Sequence, residues 1–428
     1  MPIGLVMTQI PGPWATLVRP AAPRSTQNVR QAVILAGGRG TRLGALTDRV
    51  PKPMLPVNGR PFIEYVVEML RDAGIRRILF LLGYLPETVT EYFGDGSRHG
   101  VSIEYSTSAV SDETGTRLRH VREQLDPTFL LTYCDNYWPV PLAALERAYR
   151  ASQCRALLTI YRNTDAYTRD NVRVVGNRVV EYDKTRKRAA LAGVDIGYGI
   201  FGAGVIDDIP SFGNPSFEAA VYPRLVAQGT LAAFETDHRY YSIGSAERLP
   251  LTELFLRRDK TVLVDRDGTL NVCMPRGEYV TSWAGWRWLP GVLDALARLT
   301  ANGYRIVIVT NQPGVSRGAL TLEELNGIHA RMTAEAAAAG ARIDAVLACT
   351  HGWDDGCACR KPQPGLLFEA QRRFSLDLPR TPFIGDGDRD ASAAERAGAP
   401  FYRVGASESF PAIVDHLLTG EQSFLNAS

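Results

Sequence analysis

Between Cys349 and Pro362 the chain reads C-T-H-G-W-D-D-G-C-A-C-R-K-P. Cys349, His351, Cys357 and Cys359 form two closely spaced ligand pairs on either side of a short polar loop. Three soft thiolates and one imidazole in that pattern fit a closed, tetrahedral, structural Zn2+ site. A disulfide or an incidental cluster is the competing reading. It is disfavoured because the chain has only six cysteines and no stretch that looks like a secretion signal. Arg360 and Lys361 directly follow the last ligand. A metal here would fix two cations in space, which suits a pocket that handles phosphate.

Carboxylates supply the rest of such a pocket. Asp265 and Asp267 flank Arg266 behind the apolar run Thr261–Val264, in D-R-D-G-T-L-N. Open α/β sheets place their sites at the C-terminal ends of strands. Alternation along extended backbone puts both carboxylates on one side. One can attack phosphorus while the other protonates the leaving oxygen and later activates water. Thr310 ends the next apolar strand in V-T-N-Q, and Lys361 supplies a fixed cation. Asp386 and Asp390 lie in G-D-G-D-R-D after the strand Pro382–Ile384. Such oxygen ligands suit Mg2+, which keeps waters and substrate oxygens as well.

A second phosphate site is written near the N-terminus, as A-G-G-R-G-T-R-L (Ala36–Leu43) and then P-K-P-M-L-P-V-N-G-R-P (Pro51–Pro61). Glycines such as Gly38 and Gly40 let backbone N–H groups approach a phosphate closely. Arg42 and Lys52 can neutralise a triphosphate and a leaving pyrophosphate. No Gly-Lys-Ser/Thr follows, so this is not a Walker loop, and the glycine spacing is not that of a dinucleotide fingerprint.

The elements that must hold these residues form two α/β halves. The first runs from the strand Gln31–Ala36 through a helix near Phe62–Ala73 and strands near Arg77–Leu82 and Thr128–Tyr133. This alternation predicts a mostly parallel sheet covered by helices. Around Val172–Tyr182 a turn at Gly176–Asn177 predicts an inserted hairpin. The second half repeats the alternation from Lys260: helix Gly291–Asn302, strand Arg305–Val309, helix Leu322–Ala339 and strand Ala345–Ala348. The expected division is a disordered leader over 1–30, one domain over 31–256 and a second over 259–428, with almost no linker. At 428 residues two domains are the natural expectation, and a formal net charge of +2 gives no support to nucleic-acid or membrane partners. The expected partners are small molecules and the expected compartment is the cytoplasm; the sequence does not specify an oligomeric state.

The four C-terminal stations resemble, in order, the motifs of the haloacid dehalogenase superfamily of phosphotransferases, over Lys260 to Ala406. The resemblance implies a Rossmannoid domain in which Asp265 is the nucleophile forming an aspartyl phosphate and Asp267 is the general acid/base. Thr310 and Lys361 would hold phosphoryl oxygens; Asp265, Asp386 and the Asp267 carbonyl would bind Mg2+. With T-N-Q-P-G-V-S-R-G and the Cys/His loop added, the half looks like the heptose bisphosphate phosphatases, and shares much with histidinol phosphate phosphatases. That likeness implies no large cap, with Asn311, Ser316, Arg317 and Arg360 facing substrate. For Ser316 a helix N-cap role is the alternative.

The N-terminal half resembles the sugar-1-phosphate nucleotidyltransferases over Gln31 to Pro250, within them most the heptose-1-phosphate guanylyltransferases. Gly38, Arg42 and Lys52 would then bind nucleotide phosphates, Gly115 and Thr116 would sit near base and sugar, and Asp135 would bind Mg2+. Lys184, Gly197 and Glu218 would line the sugar end. Two positions depart from the family pattern. The glycine before the metal aspartate is Cys134, and the second family aspartate is replaced in Ser242-Ile243-Gly244-Ser245. A phosphatase acting on heptose 1,7-bisphosphate would make the heptose 1-phosphate that a nucleotidyltransferase consumes, with GTP as the leading nucleotide. A phosphatase with a catalytically weak N-terminal module is the alternative. So is a histidinol-phosphate-type phosphatase fused to a hexose-1-phosphate nucleotidyltransferase.

Overall fold

The computed structural model describes residues 29–188, 190–275 and 277–419. Most of the expected leader therefore lies outside the described residues, as does the side chain of Arg42.

The first half is built on a nine-stranded sheet. Its strands are β1 (Gln31–Ala36), β2 (Arg77–Leu82), β3 (Ser102–Thr107), β4 (Thr128–Tyr133), β5 (Ala156–Tyr161), β6 (Val172–Val175), β7 (Arg178–Tyr182), β8 (Val194–Gly202) and β9 (Leu231–Thr236). The spatial order is β3-β2-β1-β4-β8-β5-β9-β7-β6. The run QAVILA of β1 is buried along its whole length, as an apolar strand covered on both faces must be. Parallel pairing holds from β3 to β4. Seven of the nine strands run one way, as the alternation predicts; β7 opposes its neighbours, and β8 is reversed between β4 and β5, so the sheet is mixed. Alternation of helices and strands does not reveal that reversal, since strand direction is set by the return path of the chain. The hairpin β6–β7 forms where its turn predicts, with Gly176 at a positive φ of 60°.

Helix Leu249–Leu256 ends the first half, and the next strand begins at Thr261. Here β10 (Thr261–Val264), β11 (Arg305–Asn311), β12 (Ile343–Cys349), β13 (Phe383–Gly385) and β14 (Phe401–Arg403) make an all-parallel sheet in the order β12-β11-β10-β13-β14. Helices cover it on two sides, giving one apolar core on each face. Helix Leu322–Ala338 starts with a capping box in which Thr321 and Glu324 satisfy each other's backbone N–H groups. Ser316 is therefore not its N-cap. Its hydroxyl instead donates to Pro313 O at 3.0 Å inside the preceding turn. Among the described residues no helix is long and apolar enough to cross a membrane.

Candidate active sites

At the C-terminal ends of β10, β11 and β13 the polar residues converge. Asp265 follows β10 and its N–H donates to Ile384 O at 2.8 Å, which ties the residue to β13. Its carboxylate lies 2.7 Å from Lys361 Nζ, which also lies 2.6 Å from Asp390 and donates to Val309 O at 2.8 Å. Lys361 is thus wholly committed and almost fully buried, so it is a fixed point charge. Asp265, Asp386 and Asp390 present carboxylate oxygens within 4.8 Å of one another. Three carboxylates against one ammonium leave a formal deficit of two positive charges. Burial raises Asp265 and Asp386 above the usual carboxylate range, and the neighbouring Asp390 adds to both shifts while Lys361 opposes them. A hard divalent cation fits this donor set and charge. Gly268, with φ 83°, passes so close to Asp386 that a Cβ there would sit 2.2 Å from its carboxylate. Only glycine fits.

Asp267 has a different environment. Desolvation pushes its carboxyl up, but the Arg266 charge and hydrogen bonds from Asn271, Arg266 and Gln312 hold it below its ordinary value. The Asn271 and Gln312 amides donate at 3.0 and 2.7 Å, while Arg266 grips both oxygens. Arg266 is itself buried, 3.0 Å from His329 Nε2 and with its guanidinium over the Trp286 ring. Burial, reinforced by Arg266, lowers His329 to about 4, so it faces the guanidinium as a neutral acceptor. Sequence reasoning gave no role to Arg266, His329 or Asn271, and took Gln312 only as the start of a segment, Gln312–Gly318, that shapes the pocket. The only signal for Arg266 was a cation between two acids.

Thr310 is buried and its hydroxyl accepts from Gln312 at 2.9 Å. The Asn311 side chain exchanges two hydrogen bonds with the Lys361 backbone, at 2.9 and 3.0 Å, so it clamps the lysine as well as lining the cavity. Two adjoining cavities share Asp267, Asn311 and Arg389: one holds Asp265, Thr310, Lys361 and Asp386, the other Trp353 and Arg360. The cysteine loop supplies the outer wall. Cys359 Sγ lies 3.2–3.5 Å from the other three donors, Cys349 Sγ lies 3.6 and 3.7 Å from His351 Nδ1 and Cys357 Sγ, and none of the cysteines is in a disulfide. The edges of a tetrahedron with Zn–S bonds of about 2.3 Å are about 3.8 Å long, so the donor set fits Zn2+. At the loop's tip Trp353 is overlain by the guanidinium of Arg317 at 4.2 Å, with Arg360 and Arg389 each at 5.9 Å.

In the first half, Lys52 and Asp135 form an ion pair beside the glycine loop. Gly40, with φ 71°, crosses directly over Lys52, where a Cβ would be 2.9 Å from the lysine stem. The loop is held from beneath by Arg117, which donates to the carbonyls of Gly37, Leu82, Ala109, Val110 and Asp112 and to Ser108 Oγ. Arg117 was not anticipated, because its partners are scattered along the chain. Gly38 is exposed on the loop, and Arg42 falls in the turn Thr41–Thr47. Gly115 N–H bonds Pro215 O at 3.0 Å and Thr116 Oγ1 bonds Asn214 at 2.9 Å, so both stitch the helix Thr114–His120 to that segment. Lys184 Nζ lies 3.0 Å from the Glu218 carboxylate, which also accepts from Thr114. Gly197, with φ 79°, packs against Tyr133 close to the Asn136 amide. Ser242 pairs with Asn136 next to Asp135, and its hydroxyl accepts from Gly244 N–H at 2.9 Å. That turn faces the ion pair: a Cβ on Gly244 would lie 3.8 Å from Asp135 and 3.9 Å from Lys52. His238 is buried, lowered to about 4 by that burial, and bonds Arg239 O; no contact joins it to Asp135 among the described residues.

These arrangements define a two-domain α/β enzyme, a nucleotidyltransferase domain followed by a haloacid dehalogenase-like phosphatase domain. Residues 31–166 match the family described as Nucleotidyl transferase, and residues 260–399 the family described as Polynucleotide kinase 3 phosphatase. A D-glycero-beta-D-manno-heptose-1,7-bisphosphate 7-phosphatase of Bordetella bronchiseptica is 44% identical over 139 residues, 32% of this chain and 76% of that protein. The crystal structure of D,D-heptose 1.7-bisphosphate phosphatase from B. bronchiseptica, complexed with magnesium and phosphate, is 37% identical and covers 38% of this chain and 99% of its own, with a TM-score of 0.36. For HddC from Yersinia pseudotuberculosis the values are 21% identity, 53% and 98% coverage, and a TM-score of 0.45. Through its C-terminal half the chain belongs to the heptose-1,7-bisphosphate 7-phosphatase family.

Proposed function

We propose that the protein is a bifunctional enzyme of nucleotide-activated heptose synthesis. It removes the 7-phosphate of D-glycero-D-manno-heptose 1,7-bisphosphate and then joins the heptose 1-phosphate to a nucleotide, GMP from GTP. Mg2+ at Asp265, Asp386 and the Asp267 carbonyl, with Asp390 beside them, would screen the phosphoryl oxygens. The Asp265 carboxylate, oriented by Lys361, attacks phosphorus to give an aspartyl phosphate as the sugar oxygen leaves. Asp267, ionised at rest, passes to that oxygen a proton that it takes up from the monoprotonated phosphate ester as the substrate binds. It then takes a proton from the water that hydrolyses the aspartyl phosphate; its ionised resting state suits this second half. Thr310 takes a phosphoryl oxygen and Lys361 offsets the phosphoryl charge from its fixed position, and the loop with Ser316, Arg317 and Arg360 meets the far end of the sugar phosphate.

In the first half, Gly38, Gly40, Arg42 and Lys52 take the nucleotide phosphates and Asp135 binds Mg2+. Gly115 and Thr116 lie by base and sugar, and Lys184, Gly197 and Glu218 line the sugar-phosphate end. Attack by the sugar-phosphate oxygen on the α-phosphorus releases pyrophosphate, with catalysis by positioning and charge neutralisation. Small sugar phosphates and a nucleoside triphosphate in the cytoplasm are the partners, with no nucleic acid or membrane involved.

The observation that carries this reading is the cluster of Asp265, Asp386, Asp390 and Lys361 beside a zinc-type loop, in one chain with the Lys52–Asp135 site. Ser242 favours a second reading, a phosphatase whose N-terminal half binds nucleotide without transferring it. The test is incubation with Mg2+, GTP and heptose 1,7-bisphosphate, followed by mass spectrometry. GDP-heptose with phosphate and pyrophosphate supports the bifunctional enzyme. Phosphate alone, with every nucleotide and either anomer, leaves the second reading. No phosphate from the bisphosphate rejects both.

A further inference from the structure

The two halves meet through buried polar side chains as well as through the short connection. Behind Asp135 the strands Asn136–Tyr137 and Tyr241–Ser242 form a two-residue antiparallel ladder, extended by Ile243 N–H donating to Asp135 O at 3.0 Å. This ladder carries Asp135 on one side and the Ser242–Gly244 turn on the other. Its two tyrosines are buried and packed on Phe255, with ring centroids 5.4 and 3.8 Å away. Both hydroxyls reach into the phosphatase half. Gln371 Nε2 donates to Tyr241 Oη at 2.8 Å, and Gln371 Oε1 accepts from Arg239 N–H at 3.3 Å. Tyr137 donates to Asp377 at 3.5 Å and accepts from Arg258 at 3.4 Å. Asp377 also lies 3.9 Å from Arg258 and 3.6 Å from Arg380, which bridges to Asp72 at 2.6 Å.

Gln371 has no exposed surface, and neither it nor Asp377 lines the cavities of the phosphatase site. A buried amide that donates to one neighbour and accepts from another fixes both. Moving either would leave a desolvated polar group without a partner. These two residues therefore contribute orientation at the seam, and what they orient is the ladder.

We propose that Gln371 and Asp377 of the phosphatase half are positioning residues for the transferase site, holding the Asp135 ladder in register against Lys52. The proposal rests on the nucleotidyltransferase reading of that site. It makes the phosphatase half a structural part of the transferase, beyond any exchange of product between them.

Full-length Gln371→Leu, Asp377→Asn and Tyr241→Phe are the variants, the last removing a single hydroxyl. Hydrogen exchange over residues 133–137 and 240–244 rises several-fold in each. The Mg2+ concentration that half-saturates pyrophosphate release from GTP and heptose 1-phosphate rises several-fold as well. Phosphate release from the bisphosphate stays within about twofold of wild type, as expected for a site that shares no partner with the seam. Unchanged exchange in the ladder overturns the proposal, as does a matched fall in both activities. A wild-type protein that releases no pyrophosphate with any nucleotide rejects the transferase reading instead, and the exchange measurement still decides whether the seam holds the ladder.

Discussion

The phosphatase and transferase sites face the same charged group with different amounts of acid. Around Lys361 three carboxylates converge, and a fourth, Asp267, is held ionised by its own arginine. Among the described residues the one carboxylate paired with Lys52 is that of Asp135, with the Ser242 hydroxyl turned to its own backbone. On the proposed reading, in which Asp265 is both nucleophile and metal ligand, the phosphatase site must assemble its cation from protein oxygens. A nucleotide brings phosphate oxygens of its own, so one carboxylate and water can complete the shell. The comparison teaches that the phosphatase site carries its acids in place within the fold, while the transferase site, on the proposed reading, would be completed by its nucleotide.

The sharpest way to break this contrast is Asp265→Asn. It should reduce phosphate release by at least about 10³-fold, as loss of a nucleophile does, while pyrophosphate release from GTP and heptose 1-phosphate persists. Residual phosphate release near wild type would remove Asp265 as the nucleophile. The mirror experiment, Asp135→Asn, should cost the transferase about 10²-fold, the scale of one charge-stabilising group, and leave the phosphatase intact; a coupled pyrophosphate assay reads it. Smaller is the expected effect of Cys359→Ser. Elemental analysis should show zinc lost from the chain, and phosphatase activity should fall about 10-fold through misplacement of Arg360 and Lys361. A protein retaining full zinc would place the metal elsewhere. Smallest is Ser242→Asp, which restores a second acid facing Lys52. The Mg2+ needed for half-maximal pyrophosphate release should drop several-fold, and an unchanged value would mean that nucleotide oxygens already saturate the metal.

Much of the phosphatase site was legible because its parts are local. Asp265, Thr310 and Asp386 lie at the ends of apolar strands, and Lys361 follows a ligand loop, so period and spacing mark them as candidates and the family resemblance supplies their roles. Arg266 was not legible. Its role depends on His329 and Trp286, which reach it from other segments. Asn311 reads as a substrate ligand in V-T-N-Q, yet its amide is spent on the Lys361 backbone, a partner 50 residues away. Ser316 failed as a cap because Thr321 and Glu324 form the box five residues on.

By itself the sequence determined the two α/β halves, the acids and cations of each site, the Cys/His loop and the substitution at Ser242. These are properties of neighbouring residues, where spacing dictates which side chains share a face. Only the tertiary structure decided that β8 runs backwards through the first sheet, that Arg117 holds up the glycine loop, and that Gln371 and Asp377 reach the Asp135 ladder. The first follows from the return path of the chain; the other two depend on burying polar groups far apart in the chain, and a buried donor is satisfied by whatever acceptor packing brings to it.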